Sequence, residues 1–343
     1  MERNKIKFAI VGVGNAARMH AQTLAALESA QLIAVCGRDE VRTSTFAAEY
    51  GVRYFIDYEE MFNAANPDVV NVCTPSGAHL EPAIAAARTG KHVLVEKPIE
   101  ISVERARYII DACQKANVKL ACMFQHRFDL ASQRIKNAVD REEFGRLIYA
   151  TASVKWFRPA SYYQKNNWRG TFKGDGGGAL INQAIHTIDL MAWIMGKPLS
   201  IFGKTATFIH QIEGEDTGAA LISFDTGAFG IIEGMTSAYP GFPERLEIHG
   251  ERGTVILEGG NIKSWDLIDA KQDAAELTSV GNRVGSSDPM AISIESHKAL
   301  LQDMIEAIVH DRQPFVSGSQ AITALEVVRA IYQSAQEGRE IVL

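Results

Sequence analysis

Ile6-Lys7-Phe8-Ala9-Ile10-Val11-Gly12-Val13-Gly14-Asn15-Ala16-Ala17 is the stretch that decides the fold. Ile6–Val11 is a short apolar run and reads as a buried strand. It feeds G-x-G-x-x-A, the dinucleotide fingerprint in its alanine form. Gly12 permits the tight turn, and Gly14 lets a pyrophosphate approach the backbone. Asn15 and Ala16 open a helix whose N-terminus faces the anion, and Ala17 lets that helix pack close to the sheet.

Outward from this turn, strands and helices alternate. Residues 16–29 carry Met19, Leu24 and Leu27 at helical spacing, and 31–36 is a second apolar run. Residues 42–50 read as a helix stopped by Gly51, and 58–65 as a short helix. Residues 69–73, 92–96 and 119–123 read as strands, and 79–89 and 103–117 as helices. Such alternation implies an α/β domain with a doubly wound parallel sheet, assigned to residues 1–123. From residue 124 the rhythm changes. Strands are expected at 147–157, 201–210, 218–224, 229–237, 245–249 and 254–257, with helices at 131–140 and 178–195. Strands in succession imply an α+β domain with a large, mostly antiparallel open sheet, assigned to residues 124–343. Late helices at 292–309 and 321–335 are expected to pack back, and polar residues 266–289 read as a surface excursion.

The 343 residues are 46% hydrophobic and 22% charged, which excludes wholesale disorder and collagen-like or coiled-coil chains. A formal net charge of −6 lacks the basic field of a nucleic-acid binder, so the expected partner is a small molecule. No apolar run reaches the roughly 18 residues of a membrane span. Met1-Glu2-Arg3-Asn4-Lys5 leads into the first strand without the cleavage site of a signal peptide. Cys36, Cys73, Cys113 and Cys122 lie in apolar surroundings with no C-x-x-C, and read as buried reduced thiols. A cytoplasmic protein is expected.

The second strand ends Val35-Cys36-Gly37-Arg38-Asp39. A site selective for NAD usually sets Asp or Glu at this tip to bond the ribose 2′-OH. Here Gly37 holds the tip, Asp39 comes too late, and Arg38 suits a 2′-phosphate. The reading favours NADP over NAD.

Gly90-Lys91-His92-Val93-Leu94-Val95-Glu96-Lys97-Pro98 resembles the A-G-K-H-V-x-x-E-K-P signature of the Gfo/Idh/MocA oxidoreductases, which include glucose–fructose oxidoreductase and inositol 2-dehydrogenase. Thr74-Pro75-Ser76-Gly77-Ala78-His79 resembles that family's T-P-x-x-x-H turn. Residues 176–189, from Gly176-Gly177-Gly178 through Asn182 and His186 to Asp189, resemble its second-domain helix. The resemblance implies that Thr74, Pro75, Ser76, His79, Glu96 and Lys97 line the cofactor beside Gly37, Arg38 and the glycine loop. It also implies a cis Lys97–Pro98 bond and a second domain for substrate and assembly, as a homodimer or homotetramer.

Read from the residues alone, Lys97 follows a buried strand at the carboxyl edge of the sheet, where ligands bind. A lysine there can donate to a substrate oxygen, with Glu96 orienting it or standing as a strand-end charge. Asn182, His186 and Asp189 share one face at helical spacing. A histidine so placed can take a hydroxyl proton while hydride leaves the same carbon. No Cys/His pair stands at metal-ligand spacing, and no metal is expected. The resemblance makes Lys97, His186 and Asn182 the catalytic group. Inositol dehydrogenases and glucose–fructose oxidoreductase carry Asp where this chain has Asn182. Asn there resembles members that oxidise C3 of nucleotide-linked N-acetylamino sugars or uronates.

Residues 156–170 are rich in aromatic and cationic side chains suited to sugar rings and their hydroxyls or carboxylates. Tyr163, Trp168 and Arg169 are expected at substrate, with Arg127 after the last Rossmann strand; His20, His210 and His249 read as structural or surface groups. The resulting expectation is NAD(P)-dependent hydride transfer to or from a secondary alcohol of a sugar or cyclic polyol. Two alternatives are an NAD-dependent glycosidase of the same fold and a cofactor-sensing regulator. Retention of both Lys97 and His186 speaks against the regulator.

Overall fold

β1 (Ile6–Val11) is buried from Phe8 onward and passes through the glycine turn into α1 (Asn15–Ala25). These elements come from a computed structural model, which describes residues 5–164, 168–268 and 294–343. The chain continues through β2 (Ala30–Cys36), α2 (Glu40–Tyr50), β3 (Arg53–Phe55), α3 (Tyr58–Ala65), β4 (Val69–Val72), α4 (Leu80–Arg88), β5 (His92–Val95), α5 (Val103–Lys115) and β6 (Leu120–Cys122). The six strands make one parallel sheet in the order β3-β2-β1-β4-β5-β6. Local chemistry sets the helix ends. Asp39, Asp57 and Ser102 accept backbone N–H groups at the starts of α2, α3 and α5, and left-handed Gly51 ends α2. Phe8, Ile10, Val93 and Leu94 are fully buried, each side chain contributing about 2 kcal/mol. The expected strands and helices of this part are present, with the short β3 in addition.

The rest of the order is α6 (Leu130–Asp140), β7 (Leu147–Lys155), α7 (Ala160–Gln164), a π-helical segment (Ala179–Ala184), α8 (Ile185–Met195), β8 (Pro198–Ala206), β9 (Thr217–Phe224), β10 (Phe229–Met235), β11 (Arg245–Gly250), β12 (Gly253–Glu258), β13 (Asn261–Leu267), α9 (Glu295–Val309), α10 (Gly318–Glu337) and β14 (Ile341–Val342). The second sheet runs β13-β12-β11-β7-β10-β9-β8-β14; only β10 and β7 pair in parallel among its strands. Its inner face (Ala150, Ala152, Ile222, Ile232) is buried under the π-helical segment and α8. The expected strand 201–210 stops at Ala206 because the Asp216 carboxylate takes the backbone N–H groups of Phe208, Ile209 and His210 out of the ladder. The expected helix 178–195 begins as π-helix, and Asp266 of the expected excursion lies in β13; residues 269–289 of that excursion lie outside the described residues.

Two compact units result. One takes the described residues of Met1–Gln125 with Ile294–Ile322, the other those of His126–Ser293 with Thr323–Leu343. Thus α9 lies with the parallel sheet, and α10 begins in the first unit and continues in the second. The four cysteines are buried, and burial pushes the Cys36 and Cys113 thiols up to about 12. No helix among the described residues is long and apolar enough to cross a membrane.

Candidate functional site

In the first unit all the strands are parallel, so the loops after β1, β2, β4 and β5 leave from one edge. That edge carries Gly12 to Ala17, Gly37 and Arg38, Thr74 to Ser76, and Glu96 with Lys97. β1 lies between β2 and β4, where the strand order reverses, the usual dinucleotide crevice. Gly12 sits at φ +108°, and a Cβ there would stand 2.4 Å from the Cys73 carbonyl oxygen, so only glycine closes this turn. A Cβ on Gly14 would meet nothing within 4 Å, and α1 starts without a side-chain cap. Open space against uncapped backbone N–H groups is the cradle a pyrophosphate requires, so these residues fit the dinucleotide. Ala17 is buried while Asn15 is exposed.

Thr74 Oγ1 donates to the Ala78 carbonyl at 2.8 Å, and Ser76 is buried. His79 lies inside the unit. Its Nδ1 is 3.0 Å from the Pro98 carbonyl oxygen and its Nε2 3.0 Å from that of Thr74, so it ties together the turns after β4 and β5. Burial holds its pKa down. The Lys97–Pro98 bond is cis. Glu96 Oε2 accepts from the Lys97 backbone N–H at 3.1 Å. A cavity of about 720 Å³ lined by Lys5, Lys7, Asp68 and Lys91 opens at the other, amino edge of this sheet, away from these loops.

In the second unit, Asn182 and His186 are the two residues between 175 and 192 that are not buried. Asn182 lies in the π-helical segment and His186 in the first turn of α8. Asp189, expected on the same face, is buried and paired with Arg127. Glu215 holds the start of the segment, accepting from Gly178 N (3.0 Å), Leu180 N (2.7 Å) and the Tyr332 hydroxyl (2.9 Å). Burial pushes its carboxyl up to about 7 against these three donors. The ring of His186 stands edge-on to His126 at 4.8 Å.

Asn182 Nδ2 donates to Asp175 Oδ1 at 2.5 Å, and its Oδ1 accepts from Gln183 Nε2 at 2.7 Å. Gln183 also reaches the Tyr162 hydroxyl and accepts from buried Arg158. The sequence reading passed over Asp175, although it directly precedes the three glycines; it supplies a carboxylate one step behind Asn182. Tyr163 bonds Thr236 at 2.8 Å, and the Arg169 guanidinium lies over the Tyr162 ring at 4.1 Å and near the Trp168 ring at 5.6 Å. Tyr163 and Arg169 line a groove of about 430 Å³ with Thr171 and Gln211. Residues 165–167 of this loop lie outside the described residues. Arg127, expected at substrate, is 3% exposed and forks onto Asp189 (Nε to Oδ2 2.8 Å, NH2 to Oδ1 2.6 Å). His210 is buried between Asp216 and the Arg158 carbonyl.

A dinucleotide edge on one unit, and on the other a buried helical stretch on which an amide and an imidazole stay half-buried, are what an oxidoreductase of the nicotinamide-dependent class requires. Residues 6–124 match the oxidoreductase family with an NAD-binding Rossmann fold, and residues 132–256 match the GFO/IDH/MocA C-terminal domain. The chain belongs to the Gfo/Idh/MocA family and is a dehydrogenase acting on CH–OH groups. Its structure is similar to that of the WlbA dehydrogenase from Bordetella pertussis, solved with NADH and UDP-GlcNAcA, at 32% identity and TM-score 0.89 over 99% of each chain. It is 25% identical over 350 residues to myo-inositol 2-dehydrogenase of Thermotoga maritima, covering 98% of both. It is 26% identical over 366 residues to D-glucoside 3-dehydrogenase of Escherichia coli, covering 100% of this chain and 99% of that one.

Proposed function

We propose that this protein oxidises, reversibly, a secondary alcohol on a sugar ring, with Lys97 and His186 as its acid/base pair and Asn182 holding a neighbouring hydroxyl. The observation that carries the reading is the pair Asn182 and His186, the two half-buried residues on an otherwise buried helical stretch. When bound, the nicotinamide accepts or returns the hydride. Gly12, Gly14 and the first turn of α1 hold its pyrophosphate. Lys97 donates from Nζ to the reacting oxygen and stabilises the charge that develops there. A ring nitrogen of His186 takes the hydroxyl proton in oxidation and returns it in reduction. Asp175 fixes the Asn182 amide. The proposed substrate is a nucleotide-linked sugar bearing an acylamino or carboxylate group. Asn182 in place of Asp supports this, as do Arg169 in the groove and the likeness to a relative solved with UDP-GlcNAcA.

The proposed cofactor is NADP(H). A Cβ at residue 37 would stand 2.5 Å from Thr43 Oγ1, so the strand tip has no room for the carboxylate that selects NAD. The Asp39 carboxylate is engaged with Arg42 N, and Arg38 is exposed beside them. Wild type, Lys97→Ala and Arg38→Ala are compared with both dinucleotides and a panel of inositols, glycosides and UDP-linked sugars. Lys97→Ala is expected to bind dinucleotide within about threefold of wild type and to lose turnover by about 10²-fold or more. Arg38→Ala should weaken NADP binding about tenfold and leave NAD unchanged, on the scale of one charged hydrogen bond. Full turnover in Lys97→Ala would overturn the acid/base assignment. Free sugar released from a glycoside without net nicotinamide reduction would overturn the dehydrogenase reading.

A further inference from the structure

His20 sits on α1, on the side that packs against the parallel sheet, and is fully buried. A buried imidazole is costly unless both nitrogens find partners. Asn71, also fully buried and in the middle of the sheet on β4, directs Nδ2 at His20 Nδ1, 2.9 Å away. An amide nitrogen only donates, so His20 Nδ1 accepts and the ring's N–H is at Nε2. That N–H meets Glu96 Oε1 at 2.9 Å. The second oxygen of Glu96 accepts from the backbone N–H of Lys97 at 3.1 Å. Strand β4, helix α1 and the turn after β5 are thus joined by three hydrogen bonds that end on Lys97.

We propose that His20 is a positioning residue for Lys97, acting through Glu96, with Asn71 fixing the ring that does so. This rests on the reading of Lys97 as the proton donor of the reaction. The two Glu96 oxygens have separate tasks: Oε1 is held by His20, and Oε2 holds the turn that starts the cis Lys97–Pro98 pair. Lysine has a flexible stem, so its aim depends on a fixed backbone and a fixed counter-charge.

The groups facing Glu96 come from every neighbouring element. They are His20 on α1, His297 on α9 with its ring edge-on to His20 at 6.5 Å, Cys73 after β4, His79 before α4, Cys122 of β6, and Lys97 itself. Burial alone would raise the Glu96 carboxyl. The hydrogen bond from His20 and the neighbouring Lys97 ammonium act the other way, and the carboxyl is held below the usual carboxylate range.

The test reads Lys97 directly in the full, dinucleotide-free chain. Lysine side-chain carbons next to Nζ are titrated by NMR, with the Lys97 signal identified by its loss in Lys97→Arg. Glu96→Gln, which removes the opposite charge, is expected to lower the Lys97 midpoint by about one pH unit, and His20→Phe, which leaves the charge but frees the carboxylate to turn from Lys97, to lower it by about half as much. His20→Gln, which keeps an N–H donor near Nε2, should restore it to within a few tenths of a unit. In turnover, His20→Phe should lose about tenfold in kcat with the dinucleotide KM unchanged, and His20→Gln should recover most of it. If His20→Phe does not fold, Asn71→Leu, which removes the donor that fixes the His20 ring, is titrated in its place. A Lys97 midpoint in folded His20→Phe or Glu96→Gln equal to wild type overturns the proposal. Full activity in Lys97→Ala would instead overturn the catalytic reading and leave the titration result standing.

Discussion

Glu96 stabilises the folded chain only while ionised. Its folded pKa, about 2, lies below the ordinary 4.5. The contribution is therefore complete above pH 4.5 and is lost as pH falls through 2. The side chain is 14% exposed, so little screening intervenes, and the loss is about 3 kcal/mol. Urea unfolding at steps across this window should show wild type falling more steeply than Glu96→Gln; parallel curves would refute it. Asp175 and Arg127 carry the complementary lesson. In sequence Asp175 was one acidic residue before a glycine cluster, and Arg127 a cation pointing to a cleft. In the fold, Asp175 reaches Asn182 and Arg127 forks onto Asp189, because seven and sixty-two positions of chain separation are closed by packing.

At the level of elements, the π-helical segment depends on a group outside itself. Its first backbone N–H groups bond the Glu215 carboxylate, and Tyr332 from α10 holds the same oxygen as Leu180. Glu215→Ala would leave two buried N–H groups unsatisfied, at about 1–3 kcal/mol each. Urea unfolding should register a loss of about 2–6 kcal/mol, and kcat should fall at least tenfold with dinucleotide affinity intact, since the variant loosens the start of the helix that carries Asn182 and His186. An unaltered kcat would show that this anchor does not matter to the site. The same anchor explains why periodicity over 178–195 read as plain α-helix: the apolar stripe is the same in both geometries, and the choice is made by a carboxylate from another strand's approach.

At the scale of the molecule, the outer face of the second sheet carries Phe202, Leu221, Ile231 and Phe229 on three adjoining strands, each between about 37% and 48% exposed. Phe202 pairs with Leu221, and Leu221 with Ile231, so the apolar surface is continuous. A patch of this kind is the part of a sheet that a second copy covers, and homo-oligomer formation through it is proposed here. Ile231→Glu should lower the mass measured by light scattering to that of a smaller assembly; wild-type chain running as a monomer would dismiss the idea. The parallel sheet, its strand–helix alternation, the glycine turn and the loops that follow β1, β2, β4 and β5 were all readable from residue order, because period, turn chemistry and strand ends are local properties. Residue order also singled out Lys97, Asn182 and His186. It did not reveal β13 and β14, the early end of β8 at the Asp216 nest, the burial of His20 beside Glu96, or the inward turn of Arg127. Those follow from contacts between distant segments, where a polar side chain's role is set by which buried partner it finds, and only tertiary packing supplies the partner.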